Sequence, residues 1–261
     1  MEQKPLIPIE LLTTSSEVSG LARTLCQEHA IAIDTESNSR HGYPEKVCLV
    51  QVSTYKGVYL IDPLAVDDMQ PIGDILANEA IVKVIQGADY DIRCLDREWG
   101  FRVKNLFDTS IGARFVGMKH TGLTALADTF LGVHIPKDAR IQKGDWSHRP
   151  LRQDALNYAA ADVWYLLGIY RSLEHQLRRL SRHRWVLEEC ARLENIRYVA
   201  PDPETAFLSL KGSGRLVGQE KAVLKRLFIL REVEARLRNK PPYYILPHET
   251  LIYLASNPTS D

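Results

Sequence analysis

The segment IAIDTES, residues 31–37, places two carboxylates at the end of an apolar run. A carboxylate among apolar neighbours is costly to bury unless another group compensates its charge. Residues 31–36 are typical of a short strand, in which successive side chains point to opposite faces, so Asp34 and Glu36 share one face. Taken alone, such an Asp-Thr-Glu is more often a strand end or a helix cap than a catalytic group.

Two further segments set acidic or phenolic side chains in an apolar context. They are GADYDIRCL at residues 87–95, which contains Asp91, and NYAAADVWYL at residues 157–166. Tyr158 and Asp162 are four residues apart in an alanine-rich helical pattern, so they share one helix face. Each segment has a simpler interpretation, because Asp91 is acceptable on a solvated helix face and a Tyr–Asp pair is common on protein surfaces.

The joint occurrence of the three segments indicates a metal site. Four acids that converge without basic neighbours repel one another unless a cation lies between them. Hard oxygen ligands of this kind suit Mg²⁺ or Mn²⁺. The residues therefore predict a site that binds two divalent cations and cleaves phosphodiesters.

The three segments, in this order, resemble the motifs of the DEDD exonuclease superfamily in its tyrosine-bearing branch, and most of all those of the ribonuclease D family. The matching stretches are Asp34-Thr35-Glu36, residues 87–92 with Asp91 in the catalytic place, and residues 158–162. Further similarity runs through residues 47–52, 105–109 and 144–151. Several spaced motifs in the expected order are more specific than any one of them.

One residue departs from the family pattern. Family members commonly carry a histidine just before the glycine of the second motif, and this chain has Gln86 there. A glutamine donates and accepts hydrogen bonds but does not titrate. We therefore expect metal binding to survive, and substrate positioning or pH dependence to differ.

The resemblance implies a role for each residue of the predicted site. Asp34 would bridge two divalent cations, Mg²⁺ or Mn²⁺, while Glu36 and Asp162 would complete the coordination of the cation on the nucleophile side. Asp91 would hold the second cation. Tyr158 would orient the attacking water, since a tyrosine with an ordinary pKa of about 10 is a poor base at neutral pH. All five are predicted catalytic residues, and the four acids are the predicted metal ligands.

The candidate substrate contacts are less specific, and they are Ser37, Asn38, Gln86, Lys143 and Arg149. The first three adjoin metal residues in sequence and are expected at the terminal nucleotide. The two basic residues flank Trp146 and are expected to hold phosphates. Trp146 itself is predicted to pack in the protein rather than to stack on a base.

Hydrophobic periodicity predicts an α/β order of elements. Strand-like runs at residues 31–36, 47–53 and 57–61, separated by short turns, predict an antiparallel meander. Later runs predict strands at residues 81–85 and 106–109, a loop at 132–150, and helices at 17–29, 88–99, 110–116, 123–130 and 152–173. This order predicts a mixed five-stranded sheet flanked by helices. The resemblance implies that it is the ribonuclease H-like exonuclease fold.

A second domain is predicted at residues 176–261, after an exonuclease domain at residues 1–175. Pro201, Pro203 and the KGSG of residues 211–214 mark a linker. Residues 216–239 have a helical pattern, and residues 246–251 resemble the start of another helix. This region resembles the opening of the helical domain shared by helicases and ribonuclease D, and we expect a partial α-helical appendage.

The net charge of zero conceals an uneven distribution along the chain. Residues 1–174 hold 18 Lys and Arg against 23 Asp and Glu, whereas residues 175–240 hold 15 against 8. The basic stretch offers an electrostatic surface for phosphates. An equally good interpretation is that arginines such as Arg178 and Arg182 only solvate a helix face.

Composition excludes several classes of protein. With 261 residues, 45% of them hydrophobic, the chain is able to bury one substantial core with a smaller appendage. It has no run of 18 apolar residues, and residues 1–10 do not resemble a signal peptide, so we expect no membrane partner and a cytoplasmic location. Its four cysteines show no paired spacing, which argues against a disulfide framework or a zinc site.

These observations predict a metal-dependent 3′→5′ exoribonuclease that trims the single-stranded 3′ end of structured RNA, such as a tRNA precursor. RNA is favoured over DNA by the resemblance alone. The alternatives are an exonuclease of short oligoribonucleotides or single-stranded DNA, and a catalytically inactive RNA-binding protein. The basic stretch favours longer RNA, and the presence of all five site residues argues against an inactive protein. The oligomeric state is left open.

Overall fold

A six-stranded mixed sheet is the centre of the first of two units in the computed structural model. The structure describes residues 8–257. The first unit contains the residues up to Ser37 and Val47–Tyr198, and the second contains Asn38–Lys46 and the residues from Val199 onward. The strands are β1 (Ile9–Leu12), β2 (Ala30–Ser37), β3 (Val47–Ser53), β4 (Val58–Ile61), β5 (Val82–Ile85) and β6 (Leu106–Asp108).

The strands lie in the order β1-β4-β3-β2-β5-β6. The predicted antiparallel meander is confirmed, because β2 pairs with β3 and β3 pairs with β4 in antiparallel register. The outer strands are parallel to their neighbours: β1 to β4, β5 to β2, and β6 to β5. Parallel pairs need crossover connections, which the helices supply.

Helices cover both faces of the sheet. In the first unit they are α1 (Ser15–Leu25), α2 (Gln70–Ala77), α3 (Asp89–Trp99), α4 (Thr109–Phe115), α5 (Leu123–Leu131), α6 (Ala139–Gln142), α7 (Gln153–Trp164), α8 (Leu166–Arg179) and α9 (His183–Leu193). α7 packs on one face through Ala159, Ala160 and Val163. A larger apolar cluster lies on the other face. Since both faces are covered, β3 is buried along its whole length.

The alternation of side chains along β2 sets the direction of its acids. Ile31 and Ile33 point into the larger cluster, whereas Ala32 points into the cluster under α7. With a period of two, Asp34 and Glu36 continue the row of Ala32 toward α7. Thr35 continues the opposite row.

The sheet has six strands, so the predicted five-stranded sheet is wrong by one strand. The additional strand, β1, has only four residues, two of them exposed, and is too short to show a pattern in the sequence. Backbone hydrogen bonds hold it against β4, from Val58 N to the Pro8 carbonyl (2.8 Å) and from Asp62 N to the Leu12 carbonyl (2.9 Å).

The helix predicted at residues 152–173 is two helices, α7 and α8, which meet at Tyr165. No proline or glycine marks this break. It separates residues that pack on different faces of the sheet: Val163 belongs to the cluster under α7, and Ile169 belongs to the larger one. Within the described part of the first unit, three helices were not predicted, namely α2, α6 and α9.

The second unit is helical and has its own small core. Two 3₁₀ turns, Ala206–Ser209 and Ser213–Arg215, precede α10 (Gly218–Arg238), α11 (Pro242–Ile245) and α12 (His248–Ser256). Their buried side chains include Phe207, Leu224 and Leu251. The predicted division after residue 175 falls inside α8, because the buried residues of α8 and α9 belong to the core of the first unit.

The loop after β2 belongs to the second unit, where α10 and its C-cap hold it. The Tyr43 hydroxyl donates to the Glu232 carboxylate, and the Arg236 guanidinium lies 5.5 Å from the Tyr43 ring centroid. The Tyr43 N–H donates to Asn239 Oδ1 at 3.0 Å. These contacts join residues nearly 200 positions apart, which sequence patterns do not show.

A buried aspartate fixes the turn that leads into α3. The Asp108 carboxylate accepts hydrogen bonds from the N–H groups of Gly87 (3.2 Å) and Ala88 (2.8 Å), just before α3. It also caps α4 by accepting from the N–H groups of Ser110 and Ile111. Gly87 has a φ of 71°, a conformation that suits glycine. Asp108 thereby ties the beginning of α3 to the end of β6.

Two predictions concern the membrane and the N-terminus. Among residues 8–257, no helix is long and apolar enough to cross a membrane. The predicted lack of a signal peptide concerns residues 1–10, of which the first seven lie outside the described part of the chain.

We expect Asp108→Ala to lower the free energy of unfolding by about 2–4 kcal/mol, because four N–H groups lose their acceptor. Asp108→Asn keeps one oxygen acceptor and should lose less. Urea denaturation followed by circular dichroism measures both values. Asp67→Ala, at an exposed position, is the control and should change stability by less than about 0.5 kcal/mol. A similarly small loss for Asp108→Ala would contradict this role.

Candidate active site

Three of the predicted metal ligands lie together in the structure. Asp34 and Glu36 project from β2 and Asp162 projects from α7, and one carboxylate oxygen of each lies within 4.8 Å of the other two. The small side chains of Ala159 and Ala160 are buried against the sheet, where they allow close packing of α7. The strand and the helix therefore bring together acids that are about 130 residues apart in sequence.

Asp91, the fourth acid, is held beside this group by a threonine. It lies in the first turn of α3 and is buried. Thr35, between the two acids of β2, donates its hydroxyl to Asp91 Oδ1 at 2.5 Å. The negative charge of Asp91 is close enough to raise the pKa values of Asp34 and Glu36. One strand thus positions three of the four acids, two directly and one through Thr35.

Burial raises the pKa of every acid in the group, and repulsion by the other acids adds to the shifts of Asp34 and Glu36. Burial is the main cause for Asp34, whose pKa is raised well above its ordinary value, with further contributions from the charges of Asp91, Asp162 and Glu36. Burial also raises the pKa of Glu36 to about 9, and the charges of Asp162 and Asp91 add to it. In the metal-free protein the group therefore retains protons at neutral pH.

The other two acids show the same direction of shift. Burial raises the pKa of Asp162 to about 7, against the effect of a hydrogen bond from Tyr158. Burial raises the pKa of Asp91 to about 6, although the hydrogen bond from Thr35 opposes the shift. Four desolvated carboxylates form a set of hard oxygen donors, and this set fits Mg²⁺ or Mn²⁺.

Tyr158 lies one helical turn from Asp162 and is half-buried. Burial raises the pKa of its hydroxyl, and the charges of Asp162, Glu36 and Asp34 raise it further. The hydroxyl therefore stays protonated and acts as a hydrogen-bond donor. Its ring lies 6.4 Å from the ring of Trp146, which is buried, as expected for a packing residue.

Two of the candidate substrate contacts form hydrogen bonds or an ion pair with other residues of the protein. The Gln86 amide donates to the Thr121 carbonyl (2.8 Å) and accepts from the Thr109 hydroxyl (2.5 Å). Arg149 forms a two-point ion pair with Asp62, with N–O distances of 2.6 and 2.7 Å. Both side chains thus have structural contacts, and their roles in substrate binding stay predictions.

The other three candidates lie in different surroundings. The Ser37 hydroxyl is 2.7 Å from the Tyr90 hydroxyl. Asn38 belongs to the second unit, where its Oδ1 accepts from the Lys46 N–H at 2.7 Å. Lys143 is exposed at the end of α6. Contact of these residues with a nucleotide is likewise a prediction.

Two residues that position the site, Thr35 and Asp108, were not predicted from the sequence. Thr35 carries no signal of its own, since its importance depends on its facing away from its two acidic neighbours. Asp108 had a signal, because it follows an apolar strand run as Asp34 does. Asp108 meets the same criterion as Asp34, an acidic residue in an otherwise apolar run, and this criterion identifies it.

Comparison with known proteins agrees with this geometry. The sequence profile of the 3′-5′ exonuclease family matches residues 9–178, and that of the HRDC domain matches residues 220–261. The chain belongs to the 3′-5′ exonuclease family. The predicted resemblance and the ribonuclease H-like exonuclease fold are thereby confirmed, apart from the sixth strand.

Relatives of this chain include bacterial ribonucleases D. Ribonuclease D of Granulibacter bethesdensis is 34% identical over 256 residues, which are 96% of this chain and 63% of that protein. Ribonuclease D of Zymomonas mobilis is 36% identical over 254 residues, 95% of this chain and 64% of that protein. The chain therefore spans somewhat less than two-thirds of the length of these curated relatives.

Solved structures of similar proteins match nearly the whole chain. The catalytic core of RRP6 from Trypanosoma brucei has a TM-score of 0.85 and 26% identity, covering 99% of this chain and 73% of that one. Escherichia coli RNase D, described as an exoribonuclease involved in structured RNA processing, has a TM-score of 0.81 and 28% identity. That match covers 95% of this chain and 66% of the other.

The raised pKa values predict how Mn²⁺ will stabilise the protein. In the metal-free fold each acid binds its proton more tightly than in the unfolded chain. The free energy of unfolding should therefore fall as the pH rises from the ordinary carboxyl pKa near 4 toward 9. Mn²⁺ must displace these protons, so its affinity should rise about tenfold per pH unit for each proton displaced. The increase in Tm with Mn²⁺ should be larger at pH 8 than at pH 6.

Asp34→Asn provides the variant for this measurement. It should remove the increase in Tm caused by Mn²⁺ and raise the Tm measured in EDTA at pH 8, because the variant lacks a carboxylate that must be protonated or desolvated when the chain folds. Asp128→Asn, at an exposed position on α5, should respond to Mn²⁺ as the unmodified protein does. Equal responses of both variants would contradict the metal assignment.

Proposed function

We propose that this protein is a metal-dependent 3′→5′ exoribonuclease that hydrolyses nucleotides from the 3′ end of RNA. The observation that carries the proposal is the group of three carboxylates, from β2 and α7, within 4.8 Å of one another. Tyr158 lies one helical turn from one of them. The ribonucleases D that the chain resembles support the reaction type.

The four acids form two overlapping sets of metal ligands, which share Asp34. Asp34, Glu36 and Asp162 would hold one cation, and Asp34 with Asp91 would hold the other. The chemistry that two bound cations, Mg²⁺ or Mn²⁺, supply in such a site is polarisation of the scissile phosphate and acidification of water. The carboxylates themselves supply negative charge and fixed oxygen positions, which Thr35 helps to hold at Asp91.

Tyr158 acts as an orienting hydrogen-bond donor rather than as a base. Its acidic surroundings keep the proton on the hydroxyl, as the raised pKa indicates. A protonated hydroxyl next to Asp162 is able to fix the direction of an attacking water by hydrogen bonding.

The proposed substrate is the single-stranded 3′ end of a structured RNA, such as the tail of a tRNA precursor. The similar RNase D of Escherichia coli is described as acting in structured RNA processing. The excess of basic residues in 175–240 suits an extended phosphate backbone. We further propose Ser37, Asn38, Gln86, Lys143 and Arg149 as substrate contacts, the first unit as the exonuclease domain, and the cytoplasm as the location.

A cleavage assay tests the proposal. A 5′-labelled single-stranded RNA, a DNA of the same sequence and a dinucleotide are incubated with the full chain in Mg²⁺, Mn²⁺ or EDTA. We expect stepwise shortening of the RNA from its 3′ end in either metal and no cleavage in EDTA. Preference for DNA or for the dinucleotide would favour the alternative exonucleases, and binding without cleavage would favour an inactive RNA-binding protein.

Variants make this assay specific for the acidic group. Asp34→Asn should reduce the rate about 100-fold or more, since even the partners of metal ligands are worth 10–100-fold. Asp128→Asn should keep the full rate. Cleavage by Asp34→Asn at the rate of the unmodified protein, or internal cuts in the RNA, would refute the proposal.

Tyr158→Phe tests the orienting role separately from metal binding. Loss of the hydroxyl should lower kcat about 100-fold through misorientation of the water with KM nearly unchanged, because the ring and its packing remain. The increase in Tm caused by Mn²⁺ should also remain. Steady-state kinetics and thermal denaturation give these values, and an unchanged kcat would show that the hydroxyl is dispensable.

A further inference from the structure

Gln51 lies in the middle of β3 and faces the acidic group from the adjacent strand. Its Cα pairs with that of Asp34 in the antiparallel register between β2 and β3. Directly opposed residues of an antiparallel pair project from the same face of the sheet. Gln51 is also fully buried, with 0% of its surface exposed.

The amide of Gln51 lacks a hydrogen-bond partner within residues 8–257, at both its nitrogen and its oxygen. Burying an unpaired amide is unfavourable, and a leucine or methionine would fill the same volume without that penalty. A polar group buried in this way needs a reason. Packing within β3 does not supply this reason, because the other residues of β3 are apolar or, in the case of Ser53, hydrogen-bonded.

The surroundings of Gln51 point toward Asp34. Leu60, its partner in β4, and Leu49, two residues earlier in β3, are both buried and apolar. Ser53, two residues later, already donates its hydroxyl to the Val163 carbonyl at 2.9 Å. The Asp34 carboxylate is the polar group in direct register with the amide. Opposed Cβ atoms are about 4.5–5.5 Å apart, a gap that a glutamine side chain spans.

We propose that Gln51 is a positioning residue for the metal site. Its Nε2 donates a hydrogen bond to the Asp34 carboxylate when that carboxylate binds a divalent cation, and this bond sets the orientation of the ligand. The inference rests on the proposed function, since it requires the acids to bind metal. Groups that hydrogen-bond to metal ligands commonly fix their orientation in this way.

The chemistry of an amide suits this position. Asp34 already has negative neighbours, so a further carboxylate would add to the repulsion. A lysine or arginine would neutralise Asp34 and repel the cation that the group is built to bind. A glutamine donates a hydrogen bond without bringing a charge. It therefore supports the ionised ligand and leaves the total charge of the site unchanged.

Mn²⁺ affinity measured without substrate tests the proposal. Gln51→Met keeps the volume and removes the hydrogen bond, and Ser53→Ala removes another buried polar group from the same face of the same strand. Free Mn²⁺ is measured by electron paramagnetic resonance during titration of the full chain, and Tm is measured in EDTA. Gln51→Met should bind Mn²⁺ 10–100-fold more weakly with an equal or higher Tm. Ser53→Ala should keep its affinity even where its Tm falls.

Gln51→Asn provides a second variant if methionine disturbs folding. Its amide is one methylene shorter, so it should also weaken Mn²⁺ binding. Unchanged affinity in both Gln51 variants, with binding lost in Asp34→Asn, would overturn the role of Gln51 and leave the proposed function standing. Affinity that falls only in step with Tm would show a structural role. Absence of Mn²⁺ binding by the unmodified protein would overturn both proposals.

Discussion

Four carboxylates are crowded together in this structure, one of them buried and three half-buried, and the other contacts of the domain have to hold them there. Asp34, Glu36, Asp91 and Asp162 are desolvated, and the neighbouring charges that raise the pKa values of Asp34 and Glu36 are those of other acids in the group. Such an arrangement opposes folding and has to be held by the rest of the domain. Its benefit is a set of oxygen ligands that is already assembled when a cation arrives.

The means of holding the acids are distributed over the sheet and its helices. β2 is buried in the middle of a six-stranded sheet, with β3 and β5 on its two sides. Asp108 fixes the turn before α3. Thr35 holds Asp91, in the first turn of α3, by a hydrogen bond. The ion pair of Arg149 with Asp62 ties the segment before α7 to the end of β4. Of these contacts, the hydrogen bond from Thr35 is made to a site acid itself.

Part of this arrangement was predictable because local patterns determine it. Asp34 and Glu36 share a face by the period of a strand, and Tyr158 and Asp162 share one by the period of a helix. The meander of β2, β3 and β4 followed from strand-like runs with short turns. Local patterns do not show which residues distant in sequence contact one another. The strand β1 is defined only by its pairing with β4. The break between α7 and α8 at Tyr165 follows because the two helices pack on different faces of the sheet. The role of Thr35 depends on a helix 56 residues away in sequence.

Proton release on metal binding is the decisive measurement, because it shows whether the carboxylates are protonated until a cation displaces the protons. The metal-free protein is titrated with Mn²⁺ at pH 7 by calorimetry, in buffers that differ in ionisation enthalpy. We expect the observed enthalpy to vary with the buffer and to correspond to release of about one proton or more per protein molecule. A binding enthalpy independent of the buffer would contradict it, since the acids would then be ionised before the cation binds.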